Sequence, residues 1–237
     1  LDPNEPLLIE QLAKRFGVQD MLTATRDQSF LASLMYYLGV LTIADSGDAM
    51  GRLVLRIPNL VIRRLYVERI RDATLPEYED RETARHAAEH FYTSGDLEPL
   101  CDFIETRYFQ VFDNRDYRWN NELVIKTAFL VVLFSDTFYI MDSETAIDKG
   151  YADLSLIIRP DMRKYRLLDH LLEFKYLSLK ELGSSDEEIK GKTREELRAL
   201  PRVAAALNEA KQQLARYRTT LQNAYGDKLR LHTHAVV

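Results

Sequence analysis

Residues 150–177 constrain this chain more than any other stretch. Two apolar, β-rich runs, Ala152–Arg159 and Leu167–Leu177, flank Pro160-Asp161, a turn signal, so the stretch reads as a β-hairpin. Side-chain alternation on a strand sends Glu173 and Lys175 to one face and Phe174 to the other. Asp153, near the start of the preceding strand, can lie beside that pair. Two carboxylates and an amine on one face of otherwise apolar strands are costly to bury without partners. A hard divalent cation, Mg²⁺ or Mn²⁺, held by Asp153 and Glu173, with Lys175 beside the water it binds, accounts for all three. Glu-x-Lys on a strand also occurs as a solvated face or a cross-strand ion pair, and its spacing alone does not separate these readings.

The rest of the chain sets the frame for that hairpin. With 237 residues there is material for one large domain or two small ones. The single cysteine, Cys101, rules out an intrachain disulfide, which fits a reducing, cytoplasmic setting. The longest apolar run, Ala128–Phe134, falls far short of the ~18 residues a membrane span needs, so no membrane partner is expected. Charge is uneven: residues 121–237 carry 18 Lys and Arg against 17 Asp and Glu, whereas the amino half is acidic. Neither half has the strongly basic footprint of an autonomous nucleic-acid binder. Local basic patches, or delivery of nucleic acid by a partner domain, stay open.

Periodicity and breakers give the element order. Leu8, Ile9, Leu12 and Phe16 predict a helix within residues 1–22, ended by Gly17. Residues 27–38 read as an amphipathic helix, and residues 40–43 and 53–57 as short strands joined by a polar turn. Another helix runs from Asn59 to about Arg71. This unit is winged-helix-like in order, and helices 81–94 and 96–108 follow it. A domain boundary is expected near residue 113, separating a mainly helical connector with a small hairpin (1–112) from a second domain (113–237). There, a helix over 120–135 with Glu122 in its first turn precedes a strand over 139–144, the hairpin, a charged segment (180–200), a helix from Pro201 to about Tyr225 and a last strand over 229–237. The expected fold is α/β: helix, three strands, helix, strand, with a four-stranded mixed sheet.

Ser143-Glu144, then Gly150-Tyr151-Ala152-Asp153-Leu154, then Glu173-Phe174-Lys175-Tyr176-Leu177 resembles the PD-(D/E)XK nuclease superfamily. More narrowly it is similar to the branch found behind an AAA-like ATPase domain in bacterial proteins. That branch carries a glutamate on the helix before the first strand, matched by Glu122, and a Gln-Leu-x-x-Tyr on the later helix, matched by Gln213 and Tyr217. Ala152 replaces the proline of the superfamily's name, as in many members. The resemblance covers about half the chain, from Arg115 onward. It implies a metal-dependent phosphodiesterase acting on DNA more readily than RNA. Asp153, Glu173 and Glu122 would be metal ligands, Lys175 the catalytic amine, and Gln213, Tyr217 and Glu144 supporting residues. In such proteins Ser29-Phe30-Leu31, Leu41-Thr42-Ile43 and Ile57-Pro58-Asn59 belong to the joint between ATPase and nuclease parts. With no initiator methionine at Leu1, a longer natural form with an ATPase domain ahead of Leu1 is expected.

Other motifs carry less. Gly191-Lys192-Thr193 lacks the glycine five residues earlier that a phosphate-binding loop needs, since Asp186 stands there. His232 and His234 share a strand face but have no nearby third ligand in sequence, so they read as surface or packing histidines. Glu144 reads equally as a capping or salt-bridging residue. Gln213 and Tyr217 share a helical face, and ordinary packing accounts for them as well as a role at the carboxylates. A module that kept the fold without the chemistry, serving regulation or scaffolding, is the alternative to an enzyme. The acidic amino half favours it and the intact Asp153, Glu173 and Lys175 set disfavours it.

Overall fold

A computed structural model describes residues 7–13, 28–44, 50–108, 122–147 and 150–237. The chain divides into two compact units, Leu1–Arg69 and Ile70–Val237. The boundary expected near residue 113 falls outside the described residues.

In the first unit, strand β1 (Leu7–Ile9) pairs antiparallel with β3 (Leu53–Arg56), which pairs on its other edge with β2 (Thr42–Ile43). The helix expected around Leu8 and Ile9 is therefore a strand. Leu7 and Ile9 alternate into a small core with Ala32, Leu41 and Leu55, and that burial outweighs a weak helical periodicity. The small hairpin is accordingly a three-stranded sheet, order β1-β3-β2. Helix α1 (Gln28–Tyr37) lies where periodicity predicts it.

Helix α2 (Leu60–Thr74) leads into the second unit. There α3 (Tyr78–Ser94) and α4 (Glu98–Thr106) precede α5 (Glu122–Leu133). Helix α5 is apolar through most of its length and buries Ala128, Phe129, Val131, Val132 and Leu133, as a helix enclosed by other elements must. Helix α3 is fastened to its surroundings by Tyr92, whose hydroxyl donates to the Leu133 carbonyl (2.7 Å) and whose carbonyl accepts from Leu168 N–H (2.9 Å).

The sheet of this unit has the order β4-β5-β6-β7. Strands β4 (Tyr139–Ile147), β5 (Gly150–Ile158) and β6 (Asp169–Phe174) are antiparallel neighbours, and β7 (Leu231–Val236) is parallel to β6. All six residues of β6 are buried, as befits a strand paired on both edges and covered on both faces. The mixed four-stranded sheet is the one expected, with β6 shorter than its apolar run: Lys175 lies just past its end.

Between β6 and β7 come three short helices, α6 (Leu179–Leu182), α7 (Asp186–Lys190) and α8 (Arg194–Arg198). Each opens on a capping box, Ser178 with Glu181, Ser185 with Glu188 and Thr193 with Glu196. Helices this short rely on such caps, because few intrahelical bonds offset the ordering of their backbone. Gly191-Lys192-Thr193 is thus the junction between two capped helices. Helix α9 (Pro201–Tyr225) starts with proline in its first turn and ends at Gly226, whose φ of 59° a side chain would strain. It buries Ala210, Leu214 and Tyr217, of which Leu214 and Tyr217 pack with Ile147, Ala152, Leu171 and Leu231 of the sheet.

Asp169 fixes the start of β6. Fully buried, it accepts from Ile158 N–H (2.8 Å), Arg230 N–H (2.9 Å) and the Arg163 guanidinium (2.9 and 3.1 Å). One carboxylate thereby ties β5, β6 and the approach to β7, with both oxygens satisfied.

Candidate active site

The β5–β6 ladder runs from Leu156↔His170 to Leu154↔Leu172. One step further along each strand stand Asp153 and Glu173. There the side chain of Asp153 takes over from the backbone: its Oδ2 accepts from Phe174 N–H at 2.7 Å. The two carboxylates are close enough for the charge on Asp153 to act on Glu173. The expected gathering of Asp153, Glu173 and Lys175 is present.

Lys175 donates to Glu173 Oε1 (3.2 Å) and also pairs with Glu209 Oε1 of α9 (3.4 Å). The other oxygen of Glu173, Oε2, is buried and has no donor among the described residues. Burial, then the Asp153 charge, pushes the Glu173 carboxyl up to about 7, against smaller opposing pulls from Lys175 and a backbone hydrogen bond to Asp153. Burial disfavours the Lys175 ammonium, but its bond to Glu173, followed by the charges of Glu173 and Glu209, outweighs this, and the Lys175 pKa is raised. Lys175 is therefore a cation and a hydrogen-bond donor at neutral pH, not a free amine.

Sequence reasoning passed over Lys126. On α5, its Nζ lies 2.6 Å from Asp153 Oδ1, with the two side chains 17 % and 12 % exposed. A polar residue inside the apolar run of α5 was the signal available for it. Glu122 opens α5 one turn earlier, at a position on the same helical face; its side chain and that of Glu144, on β4, lie outside the described residues. Among the described residues no group of three His, Cys, Asp or Glu forms a metal-binding cluster.

Glu209, Gln213 and Tyr217 occupy one face of α9 at four-residue spacing. Tyr217 donates to the Tyr151 carbonyl (3.0 Å), so it packs α9 onto the start of β5. Gly150 allows this approach, since a Cβ there would lie 2.6 Å from the Tyr217 hydroxyl. Burial, then the charge of Glu173, raises the Tyr217 pKa. The Gln213 Oε1 atom is buried without a donor among the described residues.

His232 and His234 are joined by a third histidine, His170 on β6. His170 Nδ1 and His234 Nε2 are 3.2 Å apart, and the His170 ring stacks on Phe91 of α3 with centroids 4.1 Å apart. These rings are packing groups beneath α3. His170 sits one residue off the Asp169 and Leu171 side of β6 and so faces away from Glu173.

A divalent cation fits the carboxylate pair. A buried carboxylate oxygen with no donor, beside a second carboxylate that raises its pKa, is the donor set a hard cation takes. Residues 120–237 match the PD-(D/E)XK nuclease superfamily, and this part of the chain belongs to that superfamily. None of the curated proteins and no solved structure matches the chain. Among the described residues no helix is long and apolar enough to cross a membrane.

Proposed function

We propose that this chain hydrolyses phosphodiester bonds in DNA with the help of Mg²⁺ or Mn²⁺. The observation that carries the reading is the buried, donorless Glu173 Oε2 beside Asp153. Asp153 and Glu173, with Glu122 as a third ligand, would hold the cation. When bound, the ion acidifies a water and neutralises charge growing on the phosphate.

The chain's own groups do the rest. Lys175, kept protonated and held between Glu173 and Glu209, directs an N–H donor at the site, where it orients the attacking water or meets negative charge on the phosphate oxygens. Glu173 must give up its proton to serve as a ligand, so cation binding releases a proton near neutral pH. Tyr217 keeps α9 against β5 and thereby helps hold Glu209 within reach of Lys175.

A natural form with an AAA-like ATPase domain, in a bacterial cytoplasm, is part of this reading. It is supported by the resemblance of residues 29–31, 41–43 and 57–59 to the joint in such proteins. The test is incubation with plasmid, linear and single-stranded DNA and with RNA in Mn²⁺, wild type beside Asp153→Ala. Cleavage lost in the variant supports the reading; equal cleavage by both overturns it.

A second reading, a scaffolding module with a silent site, draws on one observation. Lys126 on Asp153 and Lys175 on Glu173 compensate both carboxylates without any ion. Calorimetry with Mg²⁺ and Mn²⁺ separates the two, because a scaffold shows no binding that depends on Asp153.

A further inference from the structure

Each oxygen of Asp153 already has a donor. Oδ2 is taken by Phe174 N–H at 2.7 Å, and Oδ1 by the Lys126 ammonium at 2.6 Å. Both partners of that ion pair are mostly shielded from water. Glu173, by contrast, keeps Oε2 without a donor among the described residues. A cation approaching the pair therefore finds one carboxylate oxygen waiting and the other carboxylate already occupied by a positive charge.

We propose that Lys126 is a built-in competitor for the divalent cation: it occupies Asp153 in the ion-free protein and must withdraw for the ion to bind. The proposal rests on the metal-site reading above. An ammonium and a divalent ion cannot both sit against one carboxylate oxygen at low cost, because their repulsion is only weakly screened at a shielded site. In the ion-free protein the same ammonium offsets the crowding of two buried carboxylates. Lys126 thus trades cation affinity for stability of the empty site. Lys175 does not play this part, since it touches Glu173 Oε1 and leaves Oε2 without a donor among the described residues.

The test is calorimetric titration with MnCl₂ of the wild type, Lys126→Met, Lys126→Arg, Asp153→Asn and the Lys126→Met/Asp153→Asn double variant. Removal of the charge is expected to tighten Mn²⁺ binding on the order of tenfold, as loss of a nearby like charge implies. Lys126→Arg should bind like the wild type, and Asp153→Asn should abolish binding in either background. Without metal, Lys126→Met should lower Tm, and the drop should vanish when Asp153 is already Asn. If Lys126→Met does not fold, Lys126→Gln carries the same expectations. Mn²⁺ binding that is unchanged or weaker in Lys126→Met, yet still dependent on Asp153, overturns the competitor role and leaves the metal site standing. Absence of Mn²⁺ binding in both wild type and Lys126→Met overturns the metal-site reading and this proposal together.

Discussion

Lys175 Nζ lies 3.2 Å from Glu173 Oε1, while Oε2 of the same carboxylate is buried with no donor among the described residues. The lysine thus satisfies Oε1 of Glu173 and leaves Oε2 without a donor among the described residues. The neighbouring Asp169 is the contrast: equally buried and on the same strand, it has four donors and no vacancy. Burial of an acid is therefore not the mark of the site. An unmet oxygen is.

The first prediction concerns stability. The Glu173 carboxyl moves from 4.5 to about 7 on folding, so the folded chain holds this proton more tightly than the unfolded chain. Stability from this group is highest below pH 4.5 and is lost as pH rises through 7, on the order of 3 kcal/mol in all. Glu173→Gln removes that titration. In metal-free urea unfolding it should exceed the wild type at pH 8 by on the order of 2–3 kcal/mol, the advantage shrinking by pH 5. An equal difference at both pH values would show that the carboxyl is not strained.

Asp169→Ala should destabilise the chain by about 3–5 kcal/mol, since it leaves the Arg163 guanidinium and two buried N–H groups without their acceptor. Thermal unfolding by circular dichroism measures this. A loss under about 1 kcal/mol would mean that water replaces the carboxylate, and its role in joining β5, β6 and β7 would fall.

What was legible in the sequence follows from range. Helix α9 announces itself through Pro201, the Ala210, Leu214 and Tyr217 stripe and Gly226, all local signals. The β5–β6 hairpin and the pairing of Asp153 with Glu173 follow from alternation and a single turn. Lys126 was missed because its meaning lies in a contact with Asp153, 27 residues away, and a lone lysine in an apolar helix has no period. The histidine cluster was missed for the same reason: His232 and His234 lacked a third member until β6 and β7 paired and brought His170 beside them. Strand β1 is not legible locally, because three apolar residues carry too short a pattern to choose between periods of two and 3.6 without the β3 partner.

The histidines should govern acid lability. Burial first, then the charges of His234 and His232, lowers the His170 pKa to about 3, and burial followed by His232 lowers that of His234 to about 4. Both are depressed below the ordinary 6.5, so the unfolded chain binds more protons in acid. Their contribution is fully present above pH 6.5 and is lost as pH falls toward 4. The loss should reach about 1–2 kcal/mol per histidine by pH 5. A His170→Gln/His234→Gln variant should show a shallower fall in Tm between pH 6.5 and 4.5 than the wild type, whatever its absolute Tm. Parallel curves would show that other groups set the acid limit.

The last prediction separates the two tasks of Lys175. Its ammonium is within bonding distance of Glu173, so replacing it with methionine removes a charge that lowers the Glu173 pKa. Glu173 should then hold its proton to higher pH, and Mn²⁺ binding at pH 7 should weaken while recovering by pH 8.5, because at Glu173 the ion competes with that proton. Cleavage should behave differently. If the ammonium meets charge on the phosphate oxygens or orients the water, its loss costs on the order of 10²–10³ in rate, and raising the pH does not restore it. Calorimetry and single-turnover cleavage at pH 7 and 8.5, run on Lys175→Met beside the wild type, read both effects. Binding and cleavage recovering together at pH 8.5 would reduce Lys175 to a tuner of Glu173. Binding restored without cleavage assigns the ammonium to the reaction itself.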